Sequence, residues 1–178
     1  MTDSSRLKNP LGAAVTLAPG SAVILRHYDD SDRVGLAREL INLCRPRHIC
    51  VLVAGDARFA LAAGADGLHL PEAMLPRRNQ QLRPSMLLSV AAHSPKALAK
   101  AAKAGADFAL LSPVFPTKSH PEGRAIGVLR FAAWAKKASL PVYGLGGIND
   151  QNIRRLGSSG SAGWAAIEGL IKNPKAAR

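Results

Sequence analysis

Gly64-Ala65-Asp66-Gly67-Leu68-His69-Leu70 closes an alanine-rich stretch with a glycine and runs directly into a short apolar segment. Gly105-Ala106-Asp107-Phe108-Ala109-Leu110-Leu111 repeats the arrangement, and Gly160-Ser161-Ala162-Gly163-Trp164-Ala165-Ala166-Ile167 is a looser third copy. A glycine readily takes the left-handed backbone that stops a helix, so helix, glycine and apolar strand in succession are the mark of a repeated βα unit.

Outward from these copies, apolar runs bounded by turn formers give seven strand candidates, at residues 22–25, 49–53, 67–70, 87–91, 108–112, 141–145 and 163–167. Helix-like stretches separate them. Residues 30–44 open on acidic and serine residues and then place apolar side chains at Val34, Leu36, Leu40, Ile41 and Leu43. Ser94-Pro95 reads as the cap and first residue of a helix that runs to Ala104. Strands alternating with helices pair in parallel. A continuous apolar strand such as Ile49-Cys50-Val51-Leu52-Val53 suits a sheet with helices on one face and a packed interior on the other. The expected fold is α/β, a (β/α)8 TIM-type barrel, with an open doubly wound sheet as the alternative. The first strand is expected to be truncated or missing, since only residues 13–17 offer a further run before Ala22. Residues 1–178 read as a single domain with an irregular N-terminal segment over 1–20.

Composition narrows the function classes. The net charge is +12, yet the basic residues recur at helical intervals, as at Lys96, Lys100 and Lys103, or sit in the loop of Arg77, Arg78 and Arg83, and aromatics are only 4%. That distribution describes a solvated basic surface suited to small phosphorylated ligands, and no nucleic-acid partner is expected. The apolar residues, 47% of the chain, are scattered in short runs, so no membrane span is expected. The polar start over residues 1–10 lacks the apolar middle of a secretory signal, which points to a cytoplasmic location. Cys44 and Cys50, with His48 between them, build neither a zinc quartet nor a disulfide framework. Dinucleotide-binding and protease motifs have no counterpart.

Two loops carry chemistry. Leu140-Pro141-Val142-Tyr143-Gly144-Leu145-Gly146-Gly147-Ile148-Asn149 is a strand running into a glycine pair, where backbone N–H groups approach an anion with no Cβ in the way and a following helix N-terminus adds a favourable dipole. A tight turn without a ligand is the other reading. Ser112-Pro113-Val114-Phe115-Pro116-Thr117-Lys118-Ser119-His120-Pro121 sets two hydroxyls, an ammonium and an imidazole on a proline-stiffened frame, either a ligand-binding loop or a polar surface loop.

The order of these stretches over residues 64–170, together with Ser89-Val90-Ala91-Ala92-His93-Ser94, resembles the thiamine phosphate synthase family, which includes the related thiazole tautomerases. The resemblance implies a (β/α)8 barrel that joins hydroxymethylpyrimidine diphosphate to thiazole phosphate and releases pyrophosphate, with Mg²⁺ helping to neutralise the developing polyanion. It implies Arg26, Lys118 and His120 as catalytic residues. It places His69, His93, Thr117, Ser119, Gly146, Gly147 and Ile167 against substrate, and leaves Asp56 and Glu72 as the remaining metal ligands. The implied partners are small phosphorylated heterocycles, with homo-oligomerisation left open.

The chain departs from the family pattern where the metal and diphosphate would bind. A Gln-x-Arg-x-Lys stretch is reduced to Arg26 within Ile24-Leu25-Arg26-His27-Tyr28, an Asn-Asp pair is replaced by Ala54-Gly55-Asp56, and Pro71-Glu72-Ala73-Met74 keeps one carboxylate. Asp56 also reads as a helix cap. Glu168 stands where a serine is usual, and a carboxylate there repels phosphate. Pro113 takes the place of the tautomerase histidine. A catalytically degenerate binder of a thiazole or other small phosphate, and a tautomerase-like isomerase, are therefore the alternatives. His69 reads equally as a core histidine or a ligand contact. Met1-Thr2-Asp3 resembles the end of the family's first strand. Either the natural start lies upstream, or a partner chain or residues 13–17 close the barrel.

Overall fold

The computed structural model describes residues 1–77, 82–117 and 124–169. All seven anticipated strands form: β1 (Ala22–Leu25), β2 (Cys50–Ala54), β3 (Gly67–Leu70), β4 (Leu87–Ala92), β5 (Phe108–Leu111), β6 (Val142–Leu145) and β7 (Gly163–Ala165). They pair in sequence order, every neighbour parallel, in one seven-stranded sheet. Helix α1 (Pro10–Ala14) precedes β1, and α2 (Arg33–Cys44), α3 (Ala57–Ala63), α4 (Pro95–Lys103) and α5 (Gly127–Lys137) lie between strands. Short 3-10 turns, Glu72–Arg77 and Ile153–Leu156, follow β3 and β6. Ser94 caps α4 through a bond from the Ala97 amide, as its place before Pro95 suggests.

The sheet curls until its edges meet at two residues. The Met1 nitrogen donates to the Ala166 carbonyl just beyond β7 at 3.0 Å, and the Thr2 amide donates to the Ile24 carbonyl of β1 at 2.8 Å. The segment expected to be irregular thus begins as a bridge between the outer strands. Residues 13–17 do not form the extra strand. Pro10 starts a helix, Asn9 caps it by accepting the Gly12 amide at 2.8 Å, and the chain leaves α1 in turns bonded back to Ala13 and Ala14.

Alternation along the strands separates two apolar layers. Val23, Leu25, Val51, Val53, Leu68, Leu70, Val90 and Leu111 face the helices, with Phe131 and Leu98 completing that outer core. Ile24, Leu52, Ala54 and Leu110 face inward and pack with Met1, Leu87, Phe108, Tyr143, Leu145 and Ala165. The interior is a filled core, as in other parallel barrels. Phe108 and Tyr143 meet edge to face at 5.2 Å, and Gly163 leaves room for the tyrosine, whose ring would lie 2.6 Å from a Cβ at that position. Trp134 and Trp164 both pack against the outer layer.

The repeated Gly-Ala-Asp acquires a structural meaning. The Asp66 carboxylate accepts the Val51 amide at 2.8 Å, and the Asp107 carboxylate accepts the Leu88 amide at 2.7 Å. Each aspartate stitches the strand it precedes to the neighbouring strand, and the preceding glycine, at φ 72° in Gly64 and 68° in Gly105, ends the helix that delivers it.

Candidate active site

Parallel register brings every strand's C-terminal end to one rim. Arg26 follows β1, Asp56 follows β2, Glu72 follows β3, His93 follows β4, Ser112 follows β5, Gly146 follows β6, and Ile167 lies just past β7. Loops at that rim are where parallel barrels carry chemistry.

The loops after β5 and β6 are clamped together. Val114 donates its amide to the Leu145 carbonyl at 2.9 Å and Phe115 to Gly146 at 3.0 Å, so the ladder continues past the strands. The Ser112–Pro113 peptide is cis. The chain then turns through Gly146 at φ 94° and Gly147 at φ 66°. A Cβ on Gly146 would lie 2.8 Å from Pro113 Cα, and one on Gly147 would meet the Pro116 carbonyl oxygen and come within 2.8 Å of Phe115 Cβ. Only glycine fits either position. Asn152 Nδ2 secures the turn by donating to the Gly147 carbonyl at 2.8 Å. Among the described residues no hydrogen bond takes up the Gly147 amide N–H, and an available N–H on a fixed turn is an anion acceptor. The helix N-terminus anticipated beyond this turn is replaced by the four-residue 3-10 turn Ile153–Leu156, so the glycine turn acts without a substantial helix dipole. Thr117 stands at the end of the described part of the proline loop, while Lys118, Ser119 and His120 lie outside the described residues. Glu168 is exposed, which leaves its charge in solvent.

Across the rim, Arg26 is partly buried, and one guanidinium nitrogen contacts Met1 Sδ at 3.4 Å. Its charge is felt by His69 below. Burial first and Arg26 second push the His69 imidazole down to about 3, so it is neutral under ordinary conditions. His69 is 3% exposed and shares a 2.8 Å hydrogen bond with the fully buried Ser89 hydroxyl. Its ring is thus packed in the barrel interior.

His93 is exposed at the rim, with Nδ1 2.9 Å from the Ser112 carbonyl oxygen. A carbonyl only accepts, so Nδ1 carries the proton and Nε2 is left unprotonated in the neutral ring. Its backbone amide donates to Glu72 Oε2 at 3.1 Å. Glu72 therefore ties the β3 and β4 loops together. Asp56 accepts the Arg58 amide at 2.6 Å and caps α3. No group of three His, Cys, Asp or Glu side chains is assembled for a metal among the described residues. The donor set for Mg²⁺ does not fit: the two carboxylates named as ligands each hold the backbone, one on either side of β3.

Two residues contribute bonds that their motifs do not announce. Thr2 is 2% exposed; its hydroxyl oxygen accepts the Arg26 amide at 2.9 Å and pairs with His27 Nδ1 at 2.9 Å. Arg33 lies between the rings of Tyr28 and Phe59, 4.9 and 4.4 Å from their centroids, and donates to the Ala54 carbonyl at 2.6 Å. Its Nε is buried without a partner among the described residues. An arginine in the first turn of a helix opposes the helix dipole, and that local conflict is the sequence signal for Arg33's tertiary role. A separate cavity of about 300 Å³, lined by Arg45, Asp66, Arg83 and Ser85, opens at the opposite ends of the strands.

A family model described as thiamine monophosphate synthase matches residues 3–170. The chain belongs to the thiamine monophosphate synthase family. It is 38% identical over 153 residues to "Putative thiamine-phosphate synthase 2" of Aquifex aeolicus, covering 84% of this chain and 82% of that protein. To the thiamine-phosphate synthase of Geobacillus thermodenitrificans it is 31% identical over 177 residues, covering 95% and 78%. The solved structure of a thiamine phosphate pyrophosphorylase from Pyrococcus furiosus superposes with a TM-score of 0.79 at 24% identity, over 99% of this chain and 91% of that one. That likeness bears out the barrel and removes the open doubly wound alternative, as does the bridge at Met1–Thr2.

Proposed function

We propose that this chain is a transferase of the thiamine-phosphate synthase type, joining hydroxymethylpyrimidine diphosphate to thiazole phosphate with release of pyrophosphate. The observation that carries this is the Gly146–Gly147 turn, locked against Pro113–Pro116 with the Gly147 amide available, on the same rim as Arg26. The turn receives the thiazole phosphate by backbone N–H donation. Arg26 meets the diphosphate with a planar fork of donors suited to phosphate oxygens. Carbon–nitrogen bond formation between two held rings needs little covalent work from the protein. It relies on positioning and on stabilising the departing diphosphate. Thr117 lines the thiazole side, and His93, oriented by Ser112, faces the ligand from β4. Lys118, Ser119, His120 and Ile167 complete the reading as contacts taken from the resemblance. Mg²⁺ would supply charge neutralisation by the family resemblance, whereas Asp56 and Glu72 already hold backbone amides. The partners are small phosphorylated heterocycles and the location cytoplasmic. Among the described residues no helix is long and apolar enough to cross a membrane. Incubation of the pure protein with both substrates, with and without Mg²⁺, followed by chromatography for thiamine phosphate, tests the assignment. Absence of product under both conditions rejects it.

The engaged carboxylates favour a second reading, a catalytically degenerate binder of a thiazole or other small phosphate. It predicts calorimetric binding of thiazole phosphate without turnover, and no heat on titration rejects it.

A further inference from the structure

The carboxylates that follow β2 and β3 each anchor a loop amide, and fixed positive charge occupies the same region. From this we propose that the chain binds the diphosphate end of its ligand without a divalent cation, the Arg26 guanidinium taking over the neutralising role. The identity of the ligand rests on the transferase reading; metal-free binding is a property of the rim and is measurable apart from catalysis.

Mg²⁺ demands near-octahedral oxygen ligation and in phosphate sites is held through one or two carboxylates. The β1 loop carries Asp29, exposed to solvent, and Asp30, which accepts the Asp32 amide at 2.9 Å; three further acids anchor the rim. Asp3 accepts from Ser5 Oγ at 2.7 Å and from the Arg6 guanidinium at 2.8 Å. Asp56 holds the α3 cap, and Glu72 holds the His93 amide. A metal drawn to any of them shares a carboxylate that already holds the rim in shape. The positive groups oppose a dication as well. Arg6 first and Arg26 last lower the proton affinity of Asp3, burial first and Arg26 second lower that of His69, and Asp56 interacts with Arg33, which is fastened to the Ala54 carbonyl. A dication entering between β1 and β2 meets both guanidinium charges. A phosphate anion there is attracted by the same charges, and a guanidinium is a permanent cation whose forked donors match phosphate oxygens.

Inorganic pyrophosphate is the probe, titrated calorimetrically into the full chain in EDTA and in excess Mg²⁺. The expected dissociation constant in EDTA is equal to, or tighter than, that in Mg²⁺, within about threefold. Arg26→Gln weakens binding in EDTA by about tenfold or more, and Arg26→Lys falls between it and the parent. Asp56→Asn keeps a capping oxygen and Glu72→Gln keeps an acceptor for the His93 amide, so both leave binding within about threefold in either buffer. The proposal is overturned by binding that appears only with Mg²⁺ or tightens tenfold with it. A tenfold loss in Asp56→Asn or Glu72→Gln, undiminished binding in Arg26→Gln, or no binding in either buffer also overturns it. Should Arg26→Gln unfold, Arg26→Lys and the two carboxylate variants decide. Pyrophosphate binding in EDTA alongside absence of thiamine phosphate from both substrates rejects the transferase reading and leaves this one standing.

Discussion

The hydroxyl oxygen of Thr2 accepts the amide N–H of Arg26 at 2.9 Å. The residue that bridges the sheet edges therefore also fixes the backbone of the residue that carries charge into the mouth. Thr2→Val keeps the shape and removes the acceptor, stranding the Arg26 amide and His27 Nδ1. The expected loss is about 1–3 kcal/mol of unfolding free energy, read by urea denaturation, with Thr2→Ser close to the parent. Equal stability of Thr2→Val and the parent refutes this account of the closure.

Gly147→Ala combines a backbone at φ 66° with a Cβ driven into the Pro116 carbonyl. Gly64→Ala supplies a control, since its φ is 72° but a Cβ there meets nothing within 4 Å. The control is expected to lose about 1 kcal/mol from backbone strain alone. Gly147→Ala loses more and also weakens binding of thiazole phosphate by calorimetry, because the turn must shift. Identical effects of the two substitutions contradict a packed clamp.

His69 gives a pH dependence with a defined sign. Its folded value is about 3 against an ordinary 6.5, so between those limits the unfolded chain binds the extra proton. Stability is then unaffected above 6.5 and falls as the pH drops towards 3, by about 1.4 kcal/mol for each pH unit. His69→Asn retains a partner for Ser89 and has no such proton, so its stability profile is flatter over that interval. Matching slopes in chemical denaturation of parent and variant from pH 6.5 to 4 exclude the assignment.

Asp66→Ala and Asp107→Ala each remove a carboxylate that accepts a strand amide. Each is expected to cost about 1–3 kcal/mol. The two sites stitch different strand pairs, so the double variant sums the losses within about 0.5 kcal/mol. A variant with no measurable loss removes the structural meaning assigned to the Gly-Ala-Asp echo at that copy.

The glycine clamp was legible in advance because its chemistry is local: Gly146 and Gly147 follow an apolar strand and need conformations that other residues avoid. The carboxylates were less legible. Asp56 is seen in sequence as either a cap or a ligand, and only the bond from Arg58 decides between them. Glu72 gives no local sign of its bond to the His93 amide, because a strand crossover separates the partners. The same holds for Arg33, whose contacts come from Tyr28, Phe59 and Ala54 on three different segments.

By itself, the sequence determined that this chain is a run of βα units with a phosphate-type glycine turn, since periodicity, glycine stops and proline stiffening act within a few residues of one another. Tertiary structure alone decided how the sheet closes, through Met1 and Thr2 in place of residues 13–17. It also decided which acids at the rim remain available. Both are questions of who meets whom across the barrel, and a hydrogen bond between distant residues is set by the curl of the sheet.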